Sequence, residues 1–214
     1  MSRVIRSLKR RTETRRARAK FTLFCEGKNT EPEYFNALAA KFDKAIVELE
    51  IIPAAGVPLT ITAAAASYVK ASAKAARRLG RQSYTKGDQV WAIFDRDDHQ
   101  AVKNCISVCK AGGVGVAFSN PCFELWLILH VVDFDAPIDR HKLQKELQKV
   151  CPEYDHSGAK TADCRLLIET LAAAEARAER QCQRRQTEGA PFGPPLTTVF
   201  ELTRAIGNAA QNAR

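Results

Sequence analysis

Three carboxylates follow one apolar segment of this chain within four positions. The segment "VWAIFDRDDH", residues 90–99, runs from a predicted buried strand into Asp95, Asp97 and Asp98. Neighbouring carboxylates disfavour each other's ionised form, so this cluster gains nothing for folding unless a positive group lies between them. Carboxylate oxygens are ligands that suit Mg²⁺ or Mn²⁺. We therefore predict that Asp95 and Asp97 bind a divalent cation, whereas Asp98 is explained by capping the helix that follows.

Two further carboxylates are predicted at the same edge of the sheet. In open parallel sheets the functional crevice lies at the carboxyl ends of the strands, and Glu26 directly follows the first predicted strand. Glu124 comes shortly after the fourth predicted strand and is a candidate for a further metal ligand. A favourable place in the first turn of a helix, worth about 0.3–1 kcal/mol, explains Glu124 equally well.

Basic side chains at several places could stabilise phosphate charge. Lys28 lies in the loop after Glu26, and Lys160 must be brought in from the C-terminal half, although exposure to solvent is the commoner fate of a lysine. The net charge of +9 belongs mainly to residues 1–20, which hold nine Lys/Arg and one Glu. This arm either binds phosphate backbone by counterion release or is a solvated tail without a specific partner. Its candidate nucleic-acid contacts are Arg10, Arg11, Arg15 and Arg16.

Composition narrows the class of protein. There is no span of about 20 apolar residues, so we expect no membrane association. Seven cysteines without a CxxC pair favour reduced thiols in a cytoplasmic protein, and the four histidines do not fall at zinc-ligand spacing to them. No G-x-x-x-x-G-K-[ST] motif is present, so ATP hydrolysis would have to come from elsewhere. His130 and four aromatic side chains are predicted core residues: Trp91, Phe94, Phe123 and Trp126.

Hydrophobic periodicity predicts strands that alternate with helices, which is typical of a mostly parallel central sheet flanked by helices. The predicted α/β core spans residues 20–136, between a basic flexible arm at 1–19 and a helical extension at 137–214 that packs on the core. Within the core, strands are predicted at 21–25, 45–53, 88–94 and 114–118, and helices at 30–42, 59–79, 99–111 and 119–130. Helices alone are predicted in the extension, at 139–150, 160–185 and 197–210.

Three motifs, in this order, carry a resemblance. The segments "CEGKNTEPEYF", "VWAIFDRDDH" and "FSNPCFELWLILH" resemble the RloB-like family of bacterial abortive-infection proteins. The resemblance runs from about residue 20 to 204 and includes Tyr154 to Lys160 and "PLTTVFEL". A Glu-Gly pair after one strand and a D-x-D pair after a later one also look like the Toprim domain of topoisomerases, primases and OLD-type nucleases.

The resemblance implies a phosphodiester-processing metal site on a Toprim-like fold. Glu26 would correspond to the general acid or base, Asp95 and Asp97 would bind Mg²⁺, and Lys160 is a further catalytic candidate. The implied function is a metal-dependent nuclease, acting on DNA or RNA in defence against phage.

A different class of function is also open, namely a non-catalytic nucleic-acid-binding or regulatory subunit of a defence complex, because relatives are often encoded beside an ATPase. A phosphatase with an aspartyl nucleophile is disfavoured, because it expects Thr or Val at the position of His99. Partners other than nucleic acid and that ATPase, among them a second copy of the chain, are left open by the sequence.

Overall fold

A computed structural model describes residues 19–44, 46–53, 56–80, 87–96, 102–154 and 162–212. None of the helices in these ranges is both long and apolar enough to cross a bilayer. The strands are β1 (Ala19–Cys25), β2 (Val47–Pro53), β3 (Gln89–Asp95), β4 (Gly115–Asn120) and β5 (Leu196–Thr197). The helices are α1 (Thr30–Ala39), α2 (Pro58–Arg78), α3 (Val102–Gly112), α4 (Glu124–Val131), α5 (Arg140–Val150), α6 (Cys164–Ile168), α7 (Leu171–Thr187) and α8 (Val199–Asn212).

The strands form one five-stranded sheet in the order β2-β1-β3-β4-β5. Strands β1 to β4 are mutually parallel, and only β5 runs antiparallel, against β4. The chain leaves β1 toward β2 on one side and leaves β3 toward β4 on the other. The connections therefore diverge between β1 and β3, which opens a crevice at the carboxyl ends of these two strands. The predicted fold class, a mostly parallel sheet flanked by helices, is confirmed.

Alternating side chains of each strand enter two separate cores, one on each face of the sheet. Phe21, Leu23 and Cys25 of β1 pack into the larger core, which α1, α4, α7 and α8 complete. Phe24 of the same strand packs into the smaller core with residues of α2 and α3. His130 and the four aromatic side chains predicted as core are buried, at 8% exposure or less.

The extension departs from its predicted all-helical form in two places. Leu196–Thr197 pair with β4 as an edge strand, where we predicted that a helix begins at residue 197. Two residues are too few to show an alternating pattern, so only the partner strand reveals them. The helix predicted over 160–185 is wrong, because α6 ends at Ile168 and α7 begins at Leu171. The Thr170 hydroxyl donates to the Leu167 carbonyl at this break.

Candidate active site: an acidic cleft

A cleft of about 150 Å³ opens at the carboxyl edge of the sheet, where β1 and β3 end beside α1, α4 and α5. We call it the acidic cleft, because four of its nine lining residues are carboxylates and one is a cation. Two of the carboxylates follow or end strands, and the other two begin helices. The lining residues are Glu26, Gly27, Thr30, Glu31, Asp95, Phe123, Glu124, Arg140 and Gln144.

Glu26 and Asp95 are joined directly at the ends of neighbouring strands. The Glu26 amide still follows the β1–β3 ladder and donates to the Ile93 carbonyl at 3.0 Å. The Glu26 side chain then turns back, and its Oε2 accepts a hydrogen bond from the Asp95 amide at 2.9 Å. A carboxylate thus takes the place of the next backbone acceptor, which fixes Glu26 beside Asp95.

Asp95 is buried, and its charge is balanced from α5. Arg140 donates through Nη2 to Asp95 Oδ2 at 2.8 Å. Burial raises the pKa of Asp95 well above its usual value, and the nearby Glu31 and Glu124 raise it further, whereas Arg140 opposes the shift. The ionised form of Asp95 is therefore disfavoured, because it is buried and a single cation balances several carboxylates.

Glu31 is a buried carboxylate of the cleft that the sequence analysis did not single out. It lies in the first turn of α1, and its Oε1 accepts a hydrogen bond from the Gly27 amide at 3.1 Å. Burial raises the pKa of Glu31, and Glu124 adds to the shift. Gly27 makes this arrangement possible, since a Cβ at residue 27 would overlap with Glu31 Oε2.

Glu124 is held as an anion by hydrogen bonds. Its Oε1 accepts from Tyr154 Oη and from Gln144 Nε2, both at 2.8 Å. Burial would raise the pKa of Glu124, but hydrogen bonds from Cys122, Tyr154, Gln144 and the backbone lower it below its usual value. Glu124 also lies in the first turn of α4, so the favourable helix position and the place in the cleft are both realised.

The structure brings together three of the candidate metal ligands from sequence, Glu26, Asp95 and Glu124. Lys28 lies in the loop after β1 with its side chain exposed, and it does not line the cleft. The remaining candidates lie outside the described residues: Asp97, Lys160, Arg10, Arg11, Arg15 and Arg16.

Sequence reasoning missed Arg140 and Gln144, which α5 presents to the cleft. The two residues are four positions apart and therefore share one face of the helix. Their polar side chains lie beside Leu143 and Leu147, which are fully buried. Gln144 is only 2% exposed, so its amide needs a polar partner. The helix also contains the exposed Gln148, and no sequence pattern distinguishes the two glutamines.

The acidic cleft fits a divalent cation in the kind of donor it offers. Four carboxylates face one guanidinium, and burial together with repulsion among the carboxylates raises the pKa of both Asp95 and Glu31. Within the described residues, however, no three His, Cys, Asp or Glu side chains are arranged so that they could hold a metal ion. The donor types suit Mg²⁺ or Mn²⁺, whereas the described arrangement is that of an acidic site balanced by Arg140.

The fold and the acidic cleft together define an α/β protein with an acidic site at the carboxyl ends of β1 and β3, where the strand connections leave in opposite directions. Comparison with protein families gives the class a name. The family model described as RloB-like protein matches residues 21–206, and the chain belongs to this family. No curated protein and no solved structure matches the chain.

Proposed function

We propose that this protein is a Mg²⁺- or Mn²⁺-dependent nuclease that hydrolyses phosphodiester bonds of DNA or RNA in bacterial defence against phage. The observation that carries the proposal is the convergence of Glu26, Asp95 and Glu124 on one cleft at the carboxyl edge of a parallel sheet. Membership of the RloB-like family supports it. The resemblance of the Glu-Gly and D-x-D motifs to those of Toprim enzymes points to the same chemistry.

Five of the described side chains have roles in this proposal. Glu26 is the general acid or base, held beside Asp95 by the bond from the Asp95 amide. Asp95 and Glu124 hold the cation together with Asp97, the second member of the D-x-D pair. Tyr154 and Gln144 orient Glu124 and keep it ionised, as the partners of a metal-binding carboxylate do. When bound, the cation neutralises phosphate charge and makes water a stronger nucleophile.

The test is cleavage of plasmid, single-stranded DNA and tRNA by the full chain, with Mg²⁺, Mn²⁺ or a chelator. Asp95→Asn keeps the shape of the side chain and an acceptor for Arg140, and removes the charge that a cation needs. We expect it to lower the rate at least about 100-fold, the scale on which electrostatic contributions to catalysis are measured.

The matched control for this variant is Asp133→Asn. Asp133 also pairs with an arginine, Arg180 at 3.3 Å, but this pair is exposed and lies outside the acidic cleft. We expect the control to cleave like wild type. Equal inertness of wild type and Asp95→Asn on every substrate with every metal would overturn the nuclease proposal.

A second candidate function is favoured by the Arg140–Asp95 ion pair. An arginine that already balances the aspartate is what a vestigial site in a regulatory or binding subunit would retain, with activity supplied by a partner ATPase. Calorimetric titration with Mg²⁺ distinguishes the two functions. Binding that is lost in Asp95→Asn favours the nuclease, and absence of carboxylate-dependent binding favours the subunit.

A further inference from the structure

We propose that the outer surface of α2 and α3 binds the phosphate backbone of double-stranded nucleic acid. The two helices together carry six Lys/Arg and no Asp or Glu. All six side chains are exposed. We call them the basic layer: Lys70, Lys74, Arg77, Arg78, Lys103 and Lys110.

The basic layer lacks counter-charges within the described residues. None of its six cations forms an ion pair or hydrogen bond within the part of the chain that the structure describes. Several cations on the other face of the sheet do have partners. Arg204 lies 2.9 Å from Glu179, and Lys41 lies 3.5 Å from Glu169. Most of the unpaired Lys/Arg of the described helices therefore lie on α2 and α3.

Local helix electrostatics explains only part of this arrangement. Arg77, Arg78 and Lys110 lie in last turns, where the helix dipole favours a cation. Lys103 is the second residue of α3, at the end where the dipole disfavours a cation. Lys70 and Lys74 are like charges four residues apart, a spacing that destabilises a helix. Nothing in the described part of the folded protein offsets this loss of helix stability. We infer that a bound anionic ligand offsets it.

The shape and chemistry of the surface favour phosphate backbone over other polyanions. Between its cations, α2 exposes small side chains such as Ala71, Ser72 and Ala73. Its exposed large apolar residues lie only at the ends, with Leu59 at 43% and Leu79 at 57%. An interfacial membrane helix needs a bulky apolar face, and the centre of a protein interface needs apolar or aromatic anchors. Backbone contacts need only cations on an accessible surface.

The cations of α2 occupy only its C-terminal part. Lys70 to Arg78 span about 12 Å, which is about three to four base pairs at 3.4 Å each. Helices α2 and α3, which carry the basic layer, pack on one face of the sheet. Helices α1 and α4, which line the acidic cleft, pack on the opposite face. The inference therefore goes beyond the proposed function and does not depend on cleavage at the cleft.

The experiment measures binding of the full chain to duplex DNA and duplex RNA in a chelator, between about 50 and 200 mM salt. The test variant is Lys70→Gln/Lys74→Gln/Arg78→Gln. The control, Lys44→Gln/Lys149→Gln/Arg165→Gln, removes the same charge from exposed positions elsewhere. Removing one phosphate contact should flatten the slope of log affinity against log salt by about 0.9 on DNA, so we expect a change of up to about 2.7 in the test variant only.

Two results would overturn the inference: wild type that does not bind duplexes, or equal effects of the two triple variants. If the test variant loses binding to phosphatidylserine vesicles but binds duplexes like wild type, the surface is assigned to a membrane instead. Acetylation of lysines in the wild-type chain gives a measurement without substitutions. The duplex should protect Lys70 and Lys74 but leave Lys44 and Lys149 accessible, and the reverse pattern contradicts the proposal.

Discussion

Arg140 Nη2 lies 2.8 Å from Asp95 Oδ2, and this ion pair joins the first residue of α5 to the last residue of β3. The two side chains are 36% and 12% exposed, so the pair is partly desolvated. Among the described residues, Arg140 is the one cation that lines the acidic cleft, and it opposes the rise that burial and neighbouring carboxylates cause in the pKa of Asp95. The charge balance of the cleft therefore depends on α5.

We predict that Arg140→Gln makes the stability of the protein depend strongly on divalent metal. Removing one partner of a fully buried pair costs about 3–5 kcal/mol, and the exposure of Arg140 reduces this to about 1–2 kcal/mol. If a cation takes over the balancing role, Mg²⁺ should restore the thermal midpoint. The measurement is thermal unfolding with Mg²⁺ and with a chelator.

The control for this prediction is Arg180→Gln, because Arg180 pairs with Asp133 at an exposed position. We expect little loss of stability in this variant and no added dependence on Mg²⁺. A thermal midpoint of Arg140→Gln that does not respond to Mg²⁺ would count against a cation site in the cleft.

Gly27→Ala should disrupt the cleft while leaving the sheet intact. The added methyl group would overlap with Glu31 Oε2, so the carboxylate must leave the Gly27 amide or the loop must shift. The carboxylate is the far end of a flexible side chain, so the cost is mainly that of its lost hydrogen bond, about 1 kcal/mol. Chemical denaturation measures the loss, and the matched control is Gly207→Ala, where no atom lies within 4 Å of the new Cβ. A loss in Gly27→Ala no larger than in the control would show that Glu31 is not held there.

Tyr154→Phe should change the pH dependence of any metal-dependent activity. The hydroxyl donates to Glu124 Oε1 at 2.8 Å and helps to lower the pKa of Glu124, so its removal raises that pKa. Because Glu124 must be ionised to bind a cation, the acid limb of the activity profile should move to higher pH. Removal of this hydrogen bond should also cost about 1 kcal/mol of stability.

Tyr34→Phe is the matched control for Tyr154→Phe. Tyr34 is equally buried, and its hydroxyl contacts His130 Nε2 at 3.1 Å, away from the cleft. We expect a similar loss of stability without a shift of the pH profile. Identical pH–activity profiles for the two variants would show that the Tyr154 hydroxyl has no role in the metal-dependent activity.

Protonation of His130 should destabilise the protein in mild acid. His130 Nδ1 donates to the Leu167 carbonyl at 2.6 Å, so Nε2 accepts from Tyr34 Oη. Burial lowers the pKa of His130 to about 4, below its value near 6.5 in an unfolded chain. Between these values the unfolded chain binds the proton and the folded protein does not, so stability falls as the pH falls from about 6.5 to 4.

The linked loss should reach about 2–3 kcal/mol at pH 4. Denaturation of wild type and His130→Gln across this pH range separates the loss due to His130 from that due to other titrating groups, since the variant has no imidazole at this position. His141→Gln, at an exposed position, should retain the dependence of wild type. Parallel curves for wild type and His130→Gln would contradict the prediction.

The sequence by itself placed three of the four carboxylates of the acidic cleft, Glu26, Asp95 and Glu124, at the carboxyl edge of the sheet. Local apolar patterns identified β1, β3 and β4, and the geometry of parallel strands then places Glu26 and Asp95 at neighbouring strand ends. The first turn after β4 likewise brought Glu124 to the same edge. These predictions needed only residues close together in the chain.

Only the tertiary structure decided what faces those carboxylates. Arg140 meets Asp95 across 45 positions, Tyr154 meets Glu124 across 30, and β5 joins β4 through Thr197 and Ser119 across 78. Periodicity reports which side of an element is buried, but it does not report which remote side chain lies there. The charge balance of the cleft therefore follows from the packing of α5 against α4, which no local pattern encodes.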